Sequence, residues 1–440
     1  MFVPSASKKH FMKAFILFLF LLFHLTIPLK ILIAQATDPI NLDEAKIEKY
    51  TLPDVLKTAD GKKIKSARQW NKIQRPAILS LFEQHVYGKM PGRPPGMHLR
   101  VNAVNENALG GKAISKQVTI FFTPGTFSPG MEVLLYLPKN IKIKVPVFVG
   151  LNFYGNQSTA FDTSITITNR WTNNNAAADI SANKATVQSR GLQATRWNAE
   201  NLIENGYGLA TAYYGDLEPD HAAGFKDGIR TSLANVLSVK PEEWSAIGAW
   251  AWGLSRMLDY LETESLVNAK KVIVTGHSRL GKAALWAGAS DTRFAAVISN
   301  NSGEGGAALA RRNFGETTLR INNSFPHWFA PAFKKYNARP ETLPVDQHML
   351  LALIAPRPLY VASSKDDLWA DPRGEFLSAL NTEPVYALFK KTGLGITEMP
   401  GVDSPAGQTV RYHIRTGKHD ITTYDWEQYI KFANDLLKNN

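Results

Sequence analysis

The chain has 440 residues, of which 44% are hydrophobic, enough for a large core and against a disordered or fibrous protein. It contains no cysteine, which excludes a disulfide scaffold, zinc–thiolate and iron–sulfur sites, a cysteine nucleophile and a lipid anchor on cysteine. Its 50 Lys and Arg residues against 38 Asp and Glu residues give a formal net charge of +12.

The first 36 residues have the composition of a secretory signal peptide. Three lysines between positions 8 and 13 precede an apolar run from Ala14 to Pro28, and Ala34-Gln35-Ala36 fits a small-residue cleavage site. A membrane anchor is the alternative, but a span needs about 20 apolar residues, and Pro28 and Lys30 interrupt this run. We expect cleavage after Ala36, export to the periplasm or the medium, and no stable membrane anchor on the mature chain.

Cleavage would also change the charge of the protein. It removes four lysines and no acidic residue, so the formal net charge falls from +12 to +8. The remaining basic residues are scattered, without a run of five or more, so we do not expect a nucleic-acid partner. A modest positive charge is compatible with residence on an acidic polysaccharide.

The pattern of apolar residues divides the mature chain, residues 37–440, into a lead-in and an alternating region. The lead-in, 37–130, is predicted to contain a helix over 66–87 with a kink at Pro76, followed by antiparallel strands. The predicted strands are 117–123, 131–138, 145–153, 207–216, 271–278, 295–303, 356–364 and 410–417, and the later predicted helices are 241–262, 279–290 and 422–437. Residues 156–196, rich in Asn, Thr and Ser, are predicted to be an insertion. The alternation after residue 145 indicates a mainly parallel sheet covered by helices on both faces.

One segment has the pattern of a catalytic turn: Val272-Ile273-Val274-Thr275-Gly276-His277-Ser278-Arg279-Leu280-Gly281-Lys282. An apolar strand ends in Gly-His-Ser and a small-residue helix begins at once, which is the context of a nucleophile elbow. The match to Gly-x-Ser-x-Gly is imperfect, because Leu280 stands where the second glycine is usual. The alternative is that Ser278 only caps a buried helix.

The chain order of a hydrolase triad narrows the choice of partners for Ser278. The order is serine, then acid, then histidine, and only His413 and His419 follow the candidate acid strand that ends at Ser364. His413 lies within a strand pattern, whereas His419 lies in the loop before the last helix and is the candidate base. Two neighbouring carboxylates, Asp366 and Asp367, follow the acid strand, and one of them would orient His419 and stabilise its imidazolium.

Two cations at the start of the helix after Ser278 are a second signal. Arg279 and Lys282 are three residues apart, so they share one helix face. Positive charge at a helix N-terminus costs about 0.3–1 kcal/mol through the helix dipole, which favours a functional reason for placing it there. A guanidinium beside the nucleophile can donate to an oxyanion, and such a donor is worth about 3–4 kcal/mol.

Four segments, GHSRLGKAALWAGA, SGEGGAAL, SSKDDLWADPRGEF and GKHDITTYDW, resemble the bacterial glucuronoyl esterases, carbohydrate esterase family 15. The resemblance covers roughly residues 65–440. It implies a three-layer α/β-hydrolase with a mainly parallel central sheet and antiparallel N-terminal strands. It also implies a serine esterase that cleaves the ester between (4-O-methyl)glucuronic acid of glucuronoxylan and lignin alcohols, without a metal or another cofactor.

The resemblance also implies roles for individual residues. By position, these are Ser278 as nucleophile, His419 as base, Asp367 as acid, Arg279 as oxyanion donor, and Lys282, Glu316 and Trp369 as contacts to the uronic sugar. Fungal members place the acid at the Glu that opens a Glu-Ser-Gly-x-Gly-Gly run, and this position is Asn301 here. Glu304, the variable residue of that run, is the alternative acid.

Two other functions are compatible with the sequence. A xylan acetyl esterase needs only a small acyl slot, whereas the contact set implied by the resemblance fits a sugar-sized acyl group. A non-catalytic carbohydrate-binding protein on the same fold is the second alternative, and a full Ser278–His419–Asp367 set argues against it. We expect glucuronoxylan or a lignin–carbohydrate ester as the substrate partner, no nucleic acid, and a monomer.

Overall fold

The predicted strands belong to one ten-stranded sheet. The computed structural model describes residues 40–125 and 129–438, and the predicted signal peptide lies outside these ranges. Within them, no helix is long and apolar enough to cross a membrane. The strands are β1 (His98–Asn107), β2 (Ala113–Phe121), β3 (Gly130–Pro138), β4 (Val145–Asn152), β5 (Gly208–Tyr213), β6 (Val267–His277), β7 (Ala296–Asn300), β8 (Leu359–Ser364), β9 (Ala406–Gly407) and β10 (Val410–Arg415).

The order of the strands confirms the predicted sheet. Across the sheet the order is β1-β2-β3-β5-β4-β6-β7-β8-β10-β9. The six strands from β5 to β10 in that order are parallel to one another, and the first three pair antiparallel at one side. All eight residues of β4 are buried, as expected for a central strand that is covered on both faces.

Helices cover both faces of the sheet. Those of six or more residues are α1 (Arg75–Phe82), α2 (Ala199–Glu204), α3 (Ala246–Leu261), α4 (Arg279–Ser290), α5 (Thr318–Ser324), α6 (Gln347–Ala352), α7 (Pro372–Leu380), α8 (Glu383–Leu388) and α9 (Thr423–Ala433). Residues of α2 and α9 pack in one apolar core, and those of α1, α3, α4 and α6 in the other. This arrangement is the three-layer α/β-hydrolase architecture.

The lead-in helix has the irregularity predicted at Pro76. Helical structure runs from Ala67 to Tyr87, but the turn from Trp70 to Gln74 is π-helical. Proline has no N–H to donate, and the N–H of the preceding Arg75 bonds to the carbonyl of Trp70, five residues back. The kink therefore takes the form of a widened turn before the proline.

The sequence did not predict strands β1 and β9 or helices α2 and α5–α8. Every residue of β1 is at least partly exposed, with Val101 55% exposed, so the strand has no buried face to produce an apolar alternation. Helices α5, α6 and α8 have six or seven residues each, too few for a clear helical period. By contrast, the last helix was predicted over 422–437, and Thr422 and Asp425 form a capping box at the start of α9.

Candidate active site

Ser278 lies at a strained turn between β6 and α4. Its backbone angles, φ 57° and ψ −129°, are rare for a residue with a side chain and match the strain of a nucleophile elbow. Its side chain makes no capping hydrogen bond to the helix, so the alternative that Ser278 serves as a helix cap finds no support in the geometry. The N–H of Ser278 instead donates to the carbonyl of Asn300 at the end of β7, at 2.9 Å.

The glycines of the elbow explain the departure from the usual motif. A Cβ at Gly276 would lie 2.0 Å from the carbonyl oxygen of Leu280, so this position tolerates no side chain. A Cβ at Gly281 would lie 3.0 Å from the Cβ of Ser302, which packs against the start of α4. The close approach that requires the second glycine therefore falls three residues after Ser278.

The predicted base and acid contact each other beside this turn. His419 Nδ1 lies 2.6 Å from Asp367 Oδ2, with Asp367 buried and His419 43% exposed. The ring of His277, next to Ser278, lies 4.6 Å from the ring of His419, which places His419 at the elbow. Asp366 is exposed. Its backbone N–H donates to the carbonyl of Gly417, in the loop that carries His419.

The other titratable candidates occupy different places. Glu304 is buried and accepts a hydrogen bond from Thr318 Oγ1 at 2.6 Å, and burial raises its pKa to about 8. The carboxylate that contacts His419 among the described residues is that of Asp367. His413 lies within β10, as the strand pattern predicted, and is fully buried between Asp425 and Tyr360, each about 3.0 Å away.

Asn301, which stands at the position of the fungal acid, supports Asp367. Its Nδ2 donates to Asp367 Oδ2 at 2.8 Å, and the amide also bonds to the hydroxyl of Ser364. Asn301 has a left-handed φ of 45°, which asparagine adopts more easily than most residues. The sequence signal for this role is the asparagine that replaces the fungal acid. Because Asp367 supplies the carboxylate here, the amide of Asn301 serves as a hydrogen-bond donor to it.

Arg279 is held between a carboxylate and aromatic rings at the start of α4. Its guanidinium donates to Asp220 and lies 4.8 Å from the ring centre of Trp328 and 5.6 Å from that of Phe153. Burial would lower the pKa of Arg279, but the charge of Asp220 raises it above its ordinary value. The side chain is a quarter exposed and lines a cleft of about 340 Å³.

The residue that orients Arg279 was missed in the sequence. Asp220 lies in the loop after β5 and also accepts hydrogen bonds from His327 Nε2 at 2.8 Å and Trp328 Nε1 at 2.7 Å. Burial opposes its ionisation, but these donors and Arg279 lower its pKa to about 2. No local pattern marks Asp220, since its partners lie about 60 and 110 residues further along the chain.

Contacts and charges link the three predicted sugar contacts to one another near the start of α4. Lys282 is buried, and its Nζ donates to the carbonyl of Ser302 at 2.5 Å. Burial lowers the pKa of Lys282, and the charge of Glu316 offsets only part of this lowering. The N–H of Glu316 donates to the carbonyl of Trp369 at 2.9 Å. The ring of Trp369 is 40% exposed beside them. A lysine on the helix that begins after Ser278, a carboxyl group that interacts with it and an exposed aromatic side chain are therefore neighbours.

The described residues hold no group of three or more His, Cys, Asp and Glu side chains arranged to bind a metal ion.

A buried carboxyl group beneath the site makes stability depend on pH. Glu375 on α7 accepts hydrogen bonds from the N–H groups of Ser302 and Gly303 and from the hydroxyl of Ser363. Burial raises the pKa of Glu375 from 4.5 to about 8, and it outweighs these hydrogen bonds, which lower the pKa. A carboxyl whose pKa is higher in the folded state stabilises the fold while protonated, and this contribution is lost as the pH rises from about 4.5 through 8.

We therefore expect the free energy of unfolding to decrease as the pH rises from 5 to 8. The Glu375→Gln variant should show a smaller decrease. Part of the decrease should remain, because Glu304 also has a raised pKa. Urea unfolding at both pH values measures the effect, with exposed Glu341→Gln as the matched control. A Glu375→Gln protein with the same pH dependence as the parent would contradict the assignment.

Known proteins are similar to this chain over most of its length. A family model described as glucuronyl esterase, fungi, matches residues 236–389. Carbohydrate esterase MZ0003, from an unknown prokaryotic organism, is 49% identical over 396 residues, covering 90% of this chain and 91% of that protein. The 4-O-methyl-glucuronoyl methylesterase of Neurospora crassa is 27% identical and covers 73% of this chain and 68% of its own length.

A solved structure is similar over the same extent. The glucuronoyl esterase from Solibacter usitatus has a TM-score of 0.85 at 50% identity, covering 90% of this chain and 100% of that one. This chain therefore belongs to the glucuronoyl esterases of carbohydrate esterase family 15, which are carboxylic ester hydrolases with an α/β-hydrolase fold.

Proposed function

We propose that this chain is a serine esterase that hydrolyses the ester between (4-O-methyl)glucuronic acid of glucuronoxylan and a lignin alcohol. The observation that carries the proposal is the 2.6 Å contact between His419 and buried Asp367 beside the strained turn at Ser278. A polarised base next to a serine on an elbow is the arrangement that acyl transfer requires.

The proposed reaction proceeds through an acyl-enzyme. Asp367 accepts a hydrogen bond from the Nδ1–H group of His419, which leaves Nε2 free to take the hydroxyl proton of Ser278 as that oxygen attacks the uronoyl carbonyl. The tetrahedral intermediate collapses, and the alcohol leaves with the proton from His419. Water, deprotonated by His419, then attacks the acyl-enzyme and releases glucuronate and Ser278.

The negative charge on the carbonyl oxygen needs donors that are already in place. We assign this role to Arg279, its backbone N–H and the positive end of the helix dipole of α4. Asp220 and the ring of Trp328 fix the guanidinium before substrate binds, so little reorganisation is needed during the reaction.

The acyl side of the site is assigned to Lys282, Glu316 and Trp369. The carboxyl carbon of the substrate is esterified and uncharged, so the lysine and the glutamate are assigned to sugar hydroxyls. The exposed face of Trp369 fits the apolar face of a pyranose. We further propose that residues 1–36 direct export and that residues 37–440 form the catalytic domain, since the polymeric substrate lies outside the cell.

Steady-state kinetics on small esters test the proposal. We expect methyl or benzyl glucuronate to be cleaved efficiently, and the galacturonate ester at least 10-fold less efficiently in kcat/KM. The reason is that a reversed C4 hydroxyl leaves a buried polar group unpaired, which is costly in a site built for hydrogen bonding. Equal kcat/KM on both epimers would contradict the assigned sugar site.

Two further measurements separate the alternative functions. An acetylated xylo-oligosaccharide cleaved better than methyl glucuronate would favour an acetyl esterase. A protein that turns over no ester and is not labelled by a serine-directed phosphonate would favour a binding protein. Ser278→Ala is the matched negative control for both measurements.

A further inference from the structure

A second concave surface, which we call the flank groove, lies beside the loop of His419. Its walls are Asn105 and Asn107 at the end of β1, residues 108–110 after it, residues 159–163, a set of residues between 194 and 200, and Thr423 at the start of α9. The residues of that set are Ala194, Thr195, Asn198, Ala199 and Glu200. The groove has a volume of about 690 Å³. The assigned triad and sugar contacts use none of these residues.

The groove carries one strongly exposed aromatic ring on a fixed support. Phe161 is 81% exposed, and a Cβ at Gly191 would lie 2.3 Å from its ring, so the ring packs directly on this glycine. Gly191 has a φ of 65°, which also disfavours any side chain there. One face of Phe161 is therefore supported by backbone and the ring remains available to a ligand.

The backbone that carries Phe161 is held in place. Arg190 Nη1 donates to the carbonyl of Asp162 at 2.9 Å and to that of Ile165 at 2.7 Å. Gln117 on β2 donates to the carbonyl of Ser164 and accepts from the N–H of Thr166. The exposed ring thus stands on a segment tied down from two sides, and binding there costs little ordering entropy.

Two polar atoms at the groove have no hydrogen-bond partner among the described residues. They are Asp162 Oδ2, an acceptor, and Asn198 Nδ2, a donor. A buried polar group without a partner costs free energy. Both atoms are covered in this conformation, so a ligand hydroxyl bonds to either one after its side chain turns toward the groove. An acceptor and a donor near an apolar ring are the combination that recognises a sugar.

The charge of the lining selects between sugars. Asp162 and Glu200 are the charged residues that line the groove, and Glu200 is paired with Lys112 at 3.0 Å. With no lysine or arginine in the lining, the groove offers no cationic side chain of its own to a polyanion such as a polyuronate or a nucleic acid. The groove therefore favours neutral saccharide units.

The groove is joined to the catalytic loop by direct contacts. Arg196 Nε lies 2.6 Å from Asp420 Oδ1, and Asp420 follows His419 in the chain. Trp426 Nε1 on α9 donates to the carbonyl of Arg196 at 2.6 Å. A chain that occupies the groove therefore passes next to the loop of the proposed base.

We infer that the flank groove binds neutral sugar units of the polysaccharide that carries the cleaved ester, with Phe161 as the stacking platform. This inference rests on the proposed function for the identity of the polymer. It makes the enzyme prefer uronoyl esters that remain attached to a neutral chain over the same ester on a free monosaccharide.

Binding to an enzyme without turnover tests the groove separately from catalysis. Calorimetric titration of Ser278→Ala protein with a neutral xylohexaose should give a measurable Kd, and adding Phe161→Ala should weaken it at least 5-fold. The matched control is Ile143→Ala, since Ile143 is 77% exposed and lies outside the groove, and it should leave the Kd unchanged. Asn198→Gly, which keeps the left-handed backbone and removes Nδ2, should weaken binding as well.

Kinetics supply the second measurement. In otherwise unaltered enzyme, Phe161→Ala should lower the ratio of kcat/KM on a glucuronoyl ester of a xylo-oligosaccharide to that on methyl glucuronate at least 5-fold. A parent that does not cleave methyl glucuronate refutes the proposed function, whatever the titrations give. Absence of xylohexaose binding by the Ser278→Ala protein, equal Kd values with and without Phe161, or tighter binding of an oligouronate overturns the inference about the groove.

Discussion

Replacing Asp367 by asparagine is expected to lower kcat on a glucuronate ester by about 10³- to 10⁴-fold, the size of effect seen when a triad histidine loses its orienting carboxylate. His419 Nδ1 lies 2.6 Å from Asp367 Oδ2, and this contact sets which ring nitrogen carries the proton. Asn301 already donates to the same oxygen, so an amide at position 367 competes for the orientation that His419 requires. The base then presents the wrong tautomer to Ser278.

The neighbouring aspartate supplies the control for this experiment. Asp366→Asn removes an exposed carboxylate one residue away and should change kcat less than twofold. Ser278→Ala and His419→Ala should lower kcat as much as Asp367→Asn or more, because triad members act as one unit. A large loss of kcat in Asp366→Asn would assign the acid to Asp366. A large loss of kcat in Glu304→Gln, together with a nearly normal kcat in Asp367→Asn, would assign it to Glu304.

The sequence predicted those parts of the site that depend on local pattern or on chain order. The turn at Ser278 is local, because its strand, glycine and helix are contiguous. His419 followed from the serine–acid–histidine order and from the positions of strand ends, which parallel strands bring to one edge of a sheet. The same reasoning left Asp366 and Asp367 as alternatives, and the resemblance to the family selected Asp367. The central sheet was predictable for the same reason, since its buried strands are continuous apolar runs.

What the sequence did not predict depends on contacts between distant segments. Asp220 acts through Arg279, His327 and Trp328, and nothing near position 220 distinguishes it from a solvated loop carboxylate. Asn301 was seen only as a departure from the fungal motif, and its bond to Asp367 spans 66 residues. The exposed strand β1 lacks the alternation that burial imposes.

Arg279→Ala is expected to lower kcat by about 10²- to 10³-fold with KM nearly unchanged, which is the effect of losing one oxyanion donor. The guanidinium is fixed by Asp220 and Trp328 before substrate arrives, and it meets charge that develops only in the transition state. Arg279→Lys should restore activity only in part, because an ammonium on a flexible stem does not reproduce the planar fork that bonds Asp220 while facing the cleft.

Two neighbouring changes make this prediction specific to the oxyanion. Asp220→Asn should lower kcat by a smaller factor than Arg279→Ala, and should have little further effect once Arg279 is absent, because it acts through that side chain. Lys282→Ala should act mainly on KM, since a contact to a sugar hydroxyl is present in both the ground state and the transition state. Steady-state kinetics of these variants on methyl glucuronate, with folding checked by circular dichroism, measure all three effects. If Arg279→Ala keeps a near-normal kcat and raises KM, the guanidinium only holds substrate, and backbone N–H groups at the start of α4 stabilise the oxyanion alone.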